Sequence, residues 1–434
     1  MRQFIILIGL ILFFSCKGEK ASDTIEAKTK IEVGGSSIDS TYIATKTRHF
    51  TLADTIITGE GYALLKNIIS NSQFIMFGER HGSKVTSELI AALIPILHKE
   101  GFNHTAFEVG PYAAKKLMTL SSPPSATVEN LKIFTSKYAL EEDHQVPIPF
   151  FDGLEDAYFL RAIRERNMNI WGLDQEYYSS TLFFIDEFLS LAKNDTEYLT
   201  IKSEKEKVSK IITSWYTKDN LPNSNIKLFE EIQKDSIVTQ YLNRFREKEN
   251  TKKMVQDLEM SWDIYTRWRD DSHADRISYM RTNFLSHYNK ALETEANPKV
   301  FLKFGNLHAS KIMTNRCYDL GNLITEIATK NDSKATIINS WHRYFNTNGI
   351  EEDYLKKYPL YFNRLRDFMI QAKRDQWTII DLESIRKDIE LGHVTLPTNG
   401  DYHRIKNLIE GYDYQLILPV DSKITPNRTE VLNK

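Results

Sequence analysis

Glu79 and His81, two positions apart in Gly78-Glu79-Arg80-His81-Gly82, combine a carboxylate with an imidazole. An imidazole that titrates near neutrality can take a proton from water, and a nearby carboxylate can orient the ring. The flanking glycines let backbone approach a substrate closely. Glu108, which closes His104-Thr105-Ala106-Phe107, and His308, in Gly305-Asn306-Leu307-His308, supply a second carboxylate and a second imidazole. Asp174, after Ile170-Trp171-Gly172-Leu173, is placed either to bond an imidazole N–H and fix its tautomer or to cap the helix that follows. Arg276, Met280 and Asn283 are spaced by four and three residues and share one helix face, so Arg276 can supply a cation to Glu108 or to a developing oxyanion. The chemistry open to this set is acid–base work on water.

The same donors, Glu79, His81, Glu108 and His308, would suit a divalent metal such as zinc or manganese. Their spacing matches neither H-E-x-x-H nor a cysteine-rich site. The stretch from Asp270 to Asp275 holds ligand types without the glycine and spacing of a calcium loop. There is no G-x-S-x-G elbow, phosphate loop or G-x-G-x-x-G, which argues against serine hydrolases, P-loop NTPases and dinucleotide enzymes. Cys317 has no evident activating partner and reads as packing.

Short apolar runs at 74–77, 105–107, 170–173, 300–304, 336–338, 378–380 and 415–418 have strand length, and several are rich in β-branched or aromatic residues. Between the first two, Ser83 is an N-cap, Val85, Leu89, Leu93 and Ile96 recur at helical spacing, and Gly101 is a stop. A strand, helix, strand unit implies a parallel pair. From about 181 to 290 the period is helical and no strand run interrupts it. The predicted fold class is therefore α/β: a mostly parallel sheet flanked by helices, with a helical insertion over the carboxyl ends of the strands. Ligands of open α/β sheets bind outside those ends, where Glu79, His81, Glu108 and His308 would converge.

The N-terminal residues bear on compartment. Arg2, an apolar run from Phe4 to Phe14 and then Ser15-Cys16 resemble a bacterial lipoprotein signal, with residues 1–16 forming the signal and Cys16 the first, lipid-bearing mature residue. At about 11 residues the run is too short to span a bilayer as a mature helix. Residues 17–50 are rich in Ser, Thr, Lys and Glu and read as a flexible tether. Residues 51–425 read as one α/β domain. The expected location is the cell envelope, lipid-anchored on the periplasmic side or at the cell surface. The formal charge is −2, with 56 basic residues scattered among 58 acidic ones, so no nucleic-acid footprint exists and a small-molecule substrate is expected.

These residues resemble the erythromycin esterase-like family, whose superfamily also holds ChaN-like haem-uptake lipoproteins. Gly78-Glu79-Arg80-His81-Gly82 resembles the family's G-E-x-x-H-G, and Glu100-Gly101-Phe102 through Glu108 its G-F-x-x-x-x-x-E segment. Asn169 through Asp174 is similar to its G-x-D strand, Arg276 through Asn283 to its R-x-x-x-M-x-x-N helix, Gly305 through His308 to its H-N-x-H, and Tyr412 through Leu418 to its closing strand. The resemblance implies an α/β fold with a helical portion over a cleft, and hydrolysis of an ester or lactone by water activated on His81. Glu79 and Glu108 would orient that histidine and the water, His308 would stabilise the reacting group, and no cofactor would be required. The first motif has one residue fewer, and Gly305 stands where the family has the first histidine of H-N-x-H. The arginine expected after the second glutamate is replaced near Pro111, and the one usual on the first helix has no counterpart between Ser83 and Glu100. Two alternatives come with the superfamily: a ChaN-like haem- or iron-binding lipoprotein, and a metal-dependent hydrolase resembling Tiki/TraB proteins.

Overall fold

The computed structural model describes residues 35–140, 145–268, 272–398 and 400–429. The expected signal segment, Cys16, residues 17–34 of the expected tether, and Asp270 and Asp271 of the acidic stretch lie outside the described residues. Among the described residues no helix is long and apolar enough to cross a membrane.

The chain folds around a nine-stranded sheet. Its strands are β1 (Thr47–Ala53), β2 (Ile56–Thr58), β3 (Phe74–Glu79), β4 (Phe102–Phe107), β5 (Asn169–Gly172), β6 (Lys299–Gly305), β7 (Ala335–His342), β8 (Trp377–Asp381) and β9 (Tyr414–Leu418), in the spatial order β2-β1-β8-β9-β7-β3-β6-β4-β5. The six strands from β9 to β5 are mutually parallel, and β8, β1 and β2 extend that sheet antiparallel. Each of the seven apolar runs overlaps a strand.

The first two strands were not foreseen, and β1, with the helix before it, corrects the reading of residues 35–50 as part of a tether. Within that range, Ser40–Thr45 forms a helix capped by Asp39, and β1 pairs with β8 through Phe50 opposite Trp377. Phe50 stacks on that indole at 5.7 Å. A β-branched and aromatic segment among polar residues finds its partner more than 300 residues away, which local composition does not register.

The central strand β3 alternates between two buried faces. Ile75 and Phe77 enter one apolar cluster with Leu89, Leu93 and Phe159, whereas Phe74 and Met76 enter another with Phe284, Leu302 and Ile337. Period-two alternation thus buries the strand on both sides, as expected of a parallel strand covered by helices. The crossover from β3 to β4 is helix α1 (Lys84–Lys99), whose N-cap Ser83 accepts from the Thr86 N–H, and Gly101 ends it at φ +88°. Between β5 and β6 the described residues hold six helices and no strand; the last of them, α2 (His273–Leu292), returns along the second face.

Consecutive crossovers carry the chain outward from β3 to β4 and β5, and β6 then inserts between β3 and β4. The carboxyl ends of three adjacent strands, β3, β6 and β4, therefore lie side by side. After β6 comes a one-turn helix, α3 (Asn306–Ala309), packed against β3 at Gly78. A Cβ on Gly78 would come within 3.0 Å of Asn306 Cα and Ala309 Cβ, so glycine there is what lets α3 carry His308 up to the strand ends.

Candidate active site

The sheet register sets the first contacts. Glu79 lies opposite Gly305, and Lys303 lies opposite both Phe77 and Phe107. Lys303 reaches diagonally to Glu79, its Nζ 2.5 Å from Oε1, with both side chains under 5% exposed. The ammonium also lies over the rings of Phe150 and Phe159 at 5.9 and 5.6 Å. Burial alone would raise the Glu79 pKa, but Lys303 and His81 hold it below the usual carboxylate range.

His81 sits on top of this pair. Its Nδ1 is 3.2 Å from Glu79 Oε1, while Nε2 faces Glu108 Oε2 at 3.6 Å, too far for a hydrogen bond. With Glu79 ionised, the neutral ring donates from Nδ1 and leaves the Nε2 lone pair toward the cleft. Phe150 stacks on the ring at 4.1 Å. Phe150 has φ +64°, a strained conformation for an aromatic residue of the kind that concentrates at functional sites. Burial pushes the His81 pKa down, yet Glu108 and Glu79 together outweigh it and raise the pKa above 6.5.

Glu108 is the hub. Oε2 accepts from the Gly305 N–H at 2.6 Å, and Oε1 accepts from Arg276 Nη2 at 2.9 Å and faces His308 Nε2 at 3.3 Å. Burial opposes its charge, but His308, His81 and Arg276 hold its carboxyl well below the usual range. The cations paired with Glu108 are Arg276 and His308. His308 in turn bonds Asp319 Oδ2 through Nδ1 at 2.7 Å. Although burial disfavours its charge, Glu108 and Asp319 push the His308 pKa up to about 10, so it is an imidazolium at neutral pH.

Arg276 joins Asp174 to the network through Nε at 2.9 Å and Nη2 at 2.5 Å. Asp174 was expected to bond an imidazole or cap a helix. It bonds the guanidinium instead, and the imidazole-orienting carboxylates are Glu79 and Asp319. The other two residues on the Arg276 face also pack inward: Met280 is buried, and Asn283 donates to the Leu173 carbonyl at 2.9 Å.

All six residues singled out in the sequence, Glu79, His81, Glu108, Asp174, Arg276 and His308, thus fall in one connected network. Lys303, Asp319 and Phe150 were missed, and Gly305 was noted only as a departure from the family motif. Lys303 had a signal, since a lysine inside Val300-Phe301-Leu302-Lys303-Phe304 requires a buried partner. A Cβ on Gly305 would lie 3.0 Å from His81 Nε2 and 3.3 Å from Glu108 Oε2, so this glycine keeps open the gap between base and hub.

Two clefts meet at Arg80 and His81. One, of about 720 Å³, runs over Glu108, Arg276 and His308 toward Trp341 and Tyr361. The other, of about 420 Å³, runs past Phe150 toward Phe345 and Tyr354. The helical insertion contributes Arg276 to these walls; most of the remaining cover comes from 341–362 and 146–152.

The donor set does not suit a divalent cation. Glu79 and Glu108 are each already compensated by a buried cation, and both ring nitrogens of His308 face carboxylates.

No family model and no curated protein matches this chain. Solved structures do. A histidine-to-asparagine variant of erythromycin esterase EreC, in its open conformation, superposes with a TM-score of 0.51 at 13% identity, covering 87% of this chain and 98% of that one. A succinoglycan biosynthesis protein gives 0.50 at 16% identity, covering 89% and 97%. Haem-bound ChaN of Campylobacter jejuni gives 0.27 at 14% identity over 70% and 92%, too slight a likeness to bear on fold or function. This chain shares its fold with erythromycin esterase EreC, so the expected resemblance extends to the architecture.

Proposed function

We propose that this protein is a hydrolase that cleaves an ester or lactone with water activated on His81, and that lipid on Cys16 holds it at a membrane of the cell envelope. One observation carries the catalytic reading: His81 rests Nδ1 on a buried, ionised carboxylate and turns Nε2 to a cleft, beside a gap kept open by Gly305. Water in that gap gives its proton to Nε2 as its oxygen attacks the carbonyl carbon, and the proton then passes to the departing alkoxide. Negative charge on the tetrahedral oxygen develops beside the fixed cations Arg276 and His308. Glu108 orients the water and is itself held by the Gly305 N–H, Arg276 and His308.

No metal is required in this scheme, because the carboxylates that would hold one are already charge-matched. The haem reading has less support, since His81 and His308 each face a carboxylate from both ring nitrogens, and His342 Nε2 is occupied by Arg80.

The test is hydrolysis of an ester and lactone panel by the full chain and by His81→Ala, with and without chelator. Loss of about 10²- to 10⁴-fold in kcat with the fold retained, indifferent to chelator, is expected. Folded wild type that turns over nothing on the panel, or turnover abolished by chelator, would overturn the reading.

A further inference from the structure

The smaller cleft beside His81 has a built wall that the hydrolytic scheme does not use. Arg80, whose backbone lies between the two site residues Glu79 and His81, has no carboxylate within 4.0 Å of its guanidinium among the described residues, whereas Arg276 and Lys357 on the same walls are each matched to carboxylates. Arg80 is anchored by neutral groups. Its Nη1 donates to His342 Nε2 at 3.0 Å, and its guanidinium lies over the Tyr354 ring at 5.3 Å.

The anchor is itself oriented. Because arginine only donates, His342 Nε2 must be the acceptor, which places the proton of the neutral ring on Nδ1. Nδ1 faces Asp421 Oδ2 at 3.7 Å, beyond hydrogen-bond distance, and neither atom has a hydrogen-bond partner among the described residues. Both side chains are at most 3% exposed. Burial, helped by the Arg80 charge, pushes the His342 pKa down to about 3, so this ring stays neutral at any working pH. A carboxylate in place of His342 would neutralise the guanidinium; a neutral imidazole fixes its position and leaves its charge and remaining donors available. Phe150, Phe345 and Tyr354 supply aromatic wall, the charged side chains Asp152, Glu352, Lys357, Lys423 and Arg428 also line the chamber, and its volume of about 420 Å³ suits a small ligand.

We propose that this chamber is a subsite for an anionic substrate group, a carboxylate or a phosphate borne on an apolar or aromatic body, with Arg80 as its recognition residue and His342 and Tyr354 as the residues that position Arg80. The inference rests on the hydrolase reading and adds the substrate class: esters that carry a negative charge on the side of His81 away from Glu108. Bidentate recognition by a fixed guanidinium is what distinguishes such a site from diffuse basic charge.

The test uses the full chain, with Arg80→Gln and Arg80→Lys, on esters of one acyl group whose alcohol portions end in a carboxylate, a phosphate, a carboxamide or a trimethylammonium. Wild type is expected to favour an anionic ester over the carboxamide by about tenfold to a hundredfold in kcat/KM, mainly through KM. Arg80→Gln should erase that ratio and Arg80→Lys should restore part of it. The carboxylate and phosphate arms identify which anion is preferred. A ratio of one in wild type, or a kcat loss in Arg80→Gln equal for charged and neutral esters, would overturn the subsite while leaving the hydrolase standing. Direct titration with phenylpropanoate and benzyl phosphate separates the two readings. Arg80-dependent binding without turnover of any ester would uphold the subsite and sink the hydrolase, and ester turnover with no binding of either probe would do the reverse.

Discussion

Replacing Lys303 with methionine isolates the buried charge pair beneath the site. Lys303 Nζ and Glu79 Oε1 are 2.5 Å apart, and the side chains are 4% and 2% exposed, so little solvent screens them. Methionine fills similar volume but leaves an anion under the sheet with the partly exposed His81 as its nearest compensating group. Breaking such a pair from one side destabilises by about 3–5 kcal/mol, because the desolvated partner is left uncompensated. The pH dependence has a definite sign. In wild type the Glu79 pKa is depressed, so its contribution is present above the unfolded value of about 4.3 and is lost as pH falls through the folded value. In Lys303→Met burial is no longer opposed by the ammonium, and the deficit relative to wild type should grow from pH 4 to pH 7. The double variant Lys303→Met with Glu79→Met removes both charges and should recover most of the loss, since apolar replacement of a whole buried pair is often close to neutral. Urea unfolding of wild type, Lys303→Met, Glu79→Met alone and the double variant at both pH values closes the cycle. A single-variant loss under about 1 kcal/mol at pH 7, or a double variant no more stable than the single, would refute the argument that this pair is electrostatically coupled.

Further outcomes follow from the same geometry. Ester hydrolysis should rise with pH as His81 loses its proton, with a midpoint above 6.5 because Glu108 and Glu79 outweigh burial; a kcat/KM profile with its midpoint below 6.5 would contradict this. The folded chain should lose the contribution of His308 as pH rises from the unfolded value of about 6.5 through about 10, so His308→Gln should flatten the alkaline fall in stability measured by thermal melts. Gly305→Ala should lower kcat about tenfold to a hundredfold by crowding His81 Nε2, with Tm nearly unchanged because the backbone there, at φ −54°, accepts alanine. Phe150→Gly should leave stability within about 1 kcal/mol of wild type, relief of the positive φ offsetting the lost ring, yet lower kcat by freeing the His81 ring; an unchanged kcat would remove Phe150 from the account.

Much of the fold was legible because its signals are local. A strand such as 74–79 announces itself by continuous apolar character, and α1 by Ser83, its periodic face and Gly101. The site residues were legible at the level of type and strand end: Glu79, His81, Glu108 and His308 each stand where a buried run gives out, and the topology of an open α/β sheet makes those ends neighbours. The strand at 47–53 was not legible, since its partner Trp377 is remote and the residues before it have the composition of a polar linker.

Residue types, their place at strand ends and the order of elements were thus determined by the sequence alone, because each depends on interactions within a few residues. Tertiary structure alone decided the pairings: that Glu79 is held by Lys303 from β6, that Asp174 meets Arg276 rather than a histidine, that Asp319 makes His308 a cation, and that Arg80 rests on His342 with its charge unspent. The physical reason is common to all four. What a side chain bonds depends on whichever group the fold brings within about 4 Å, and here those partners lie between 11 and 262 residues away along the chain.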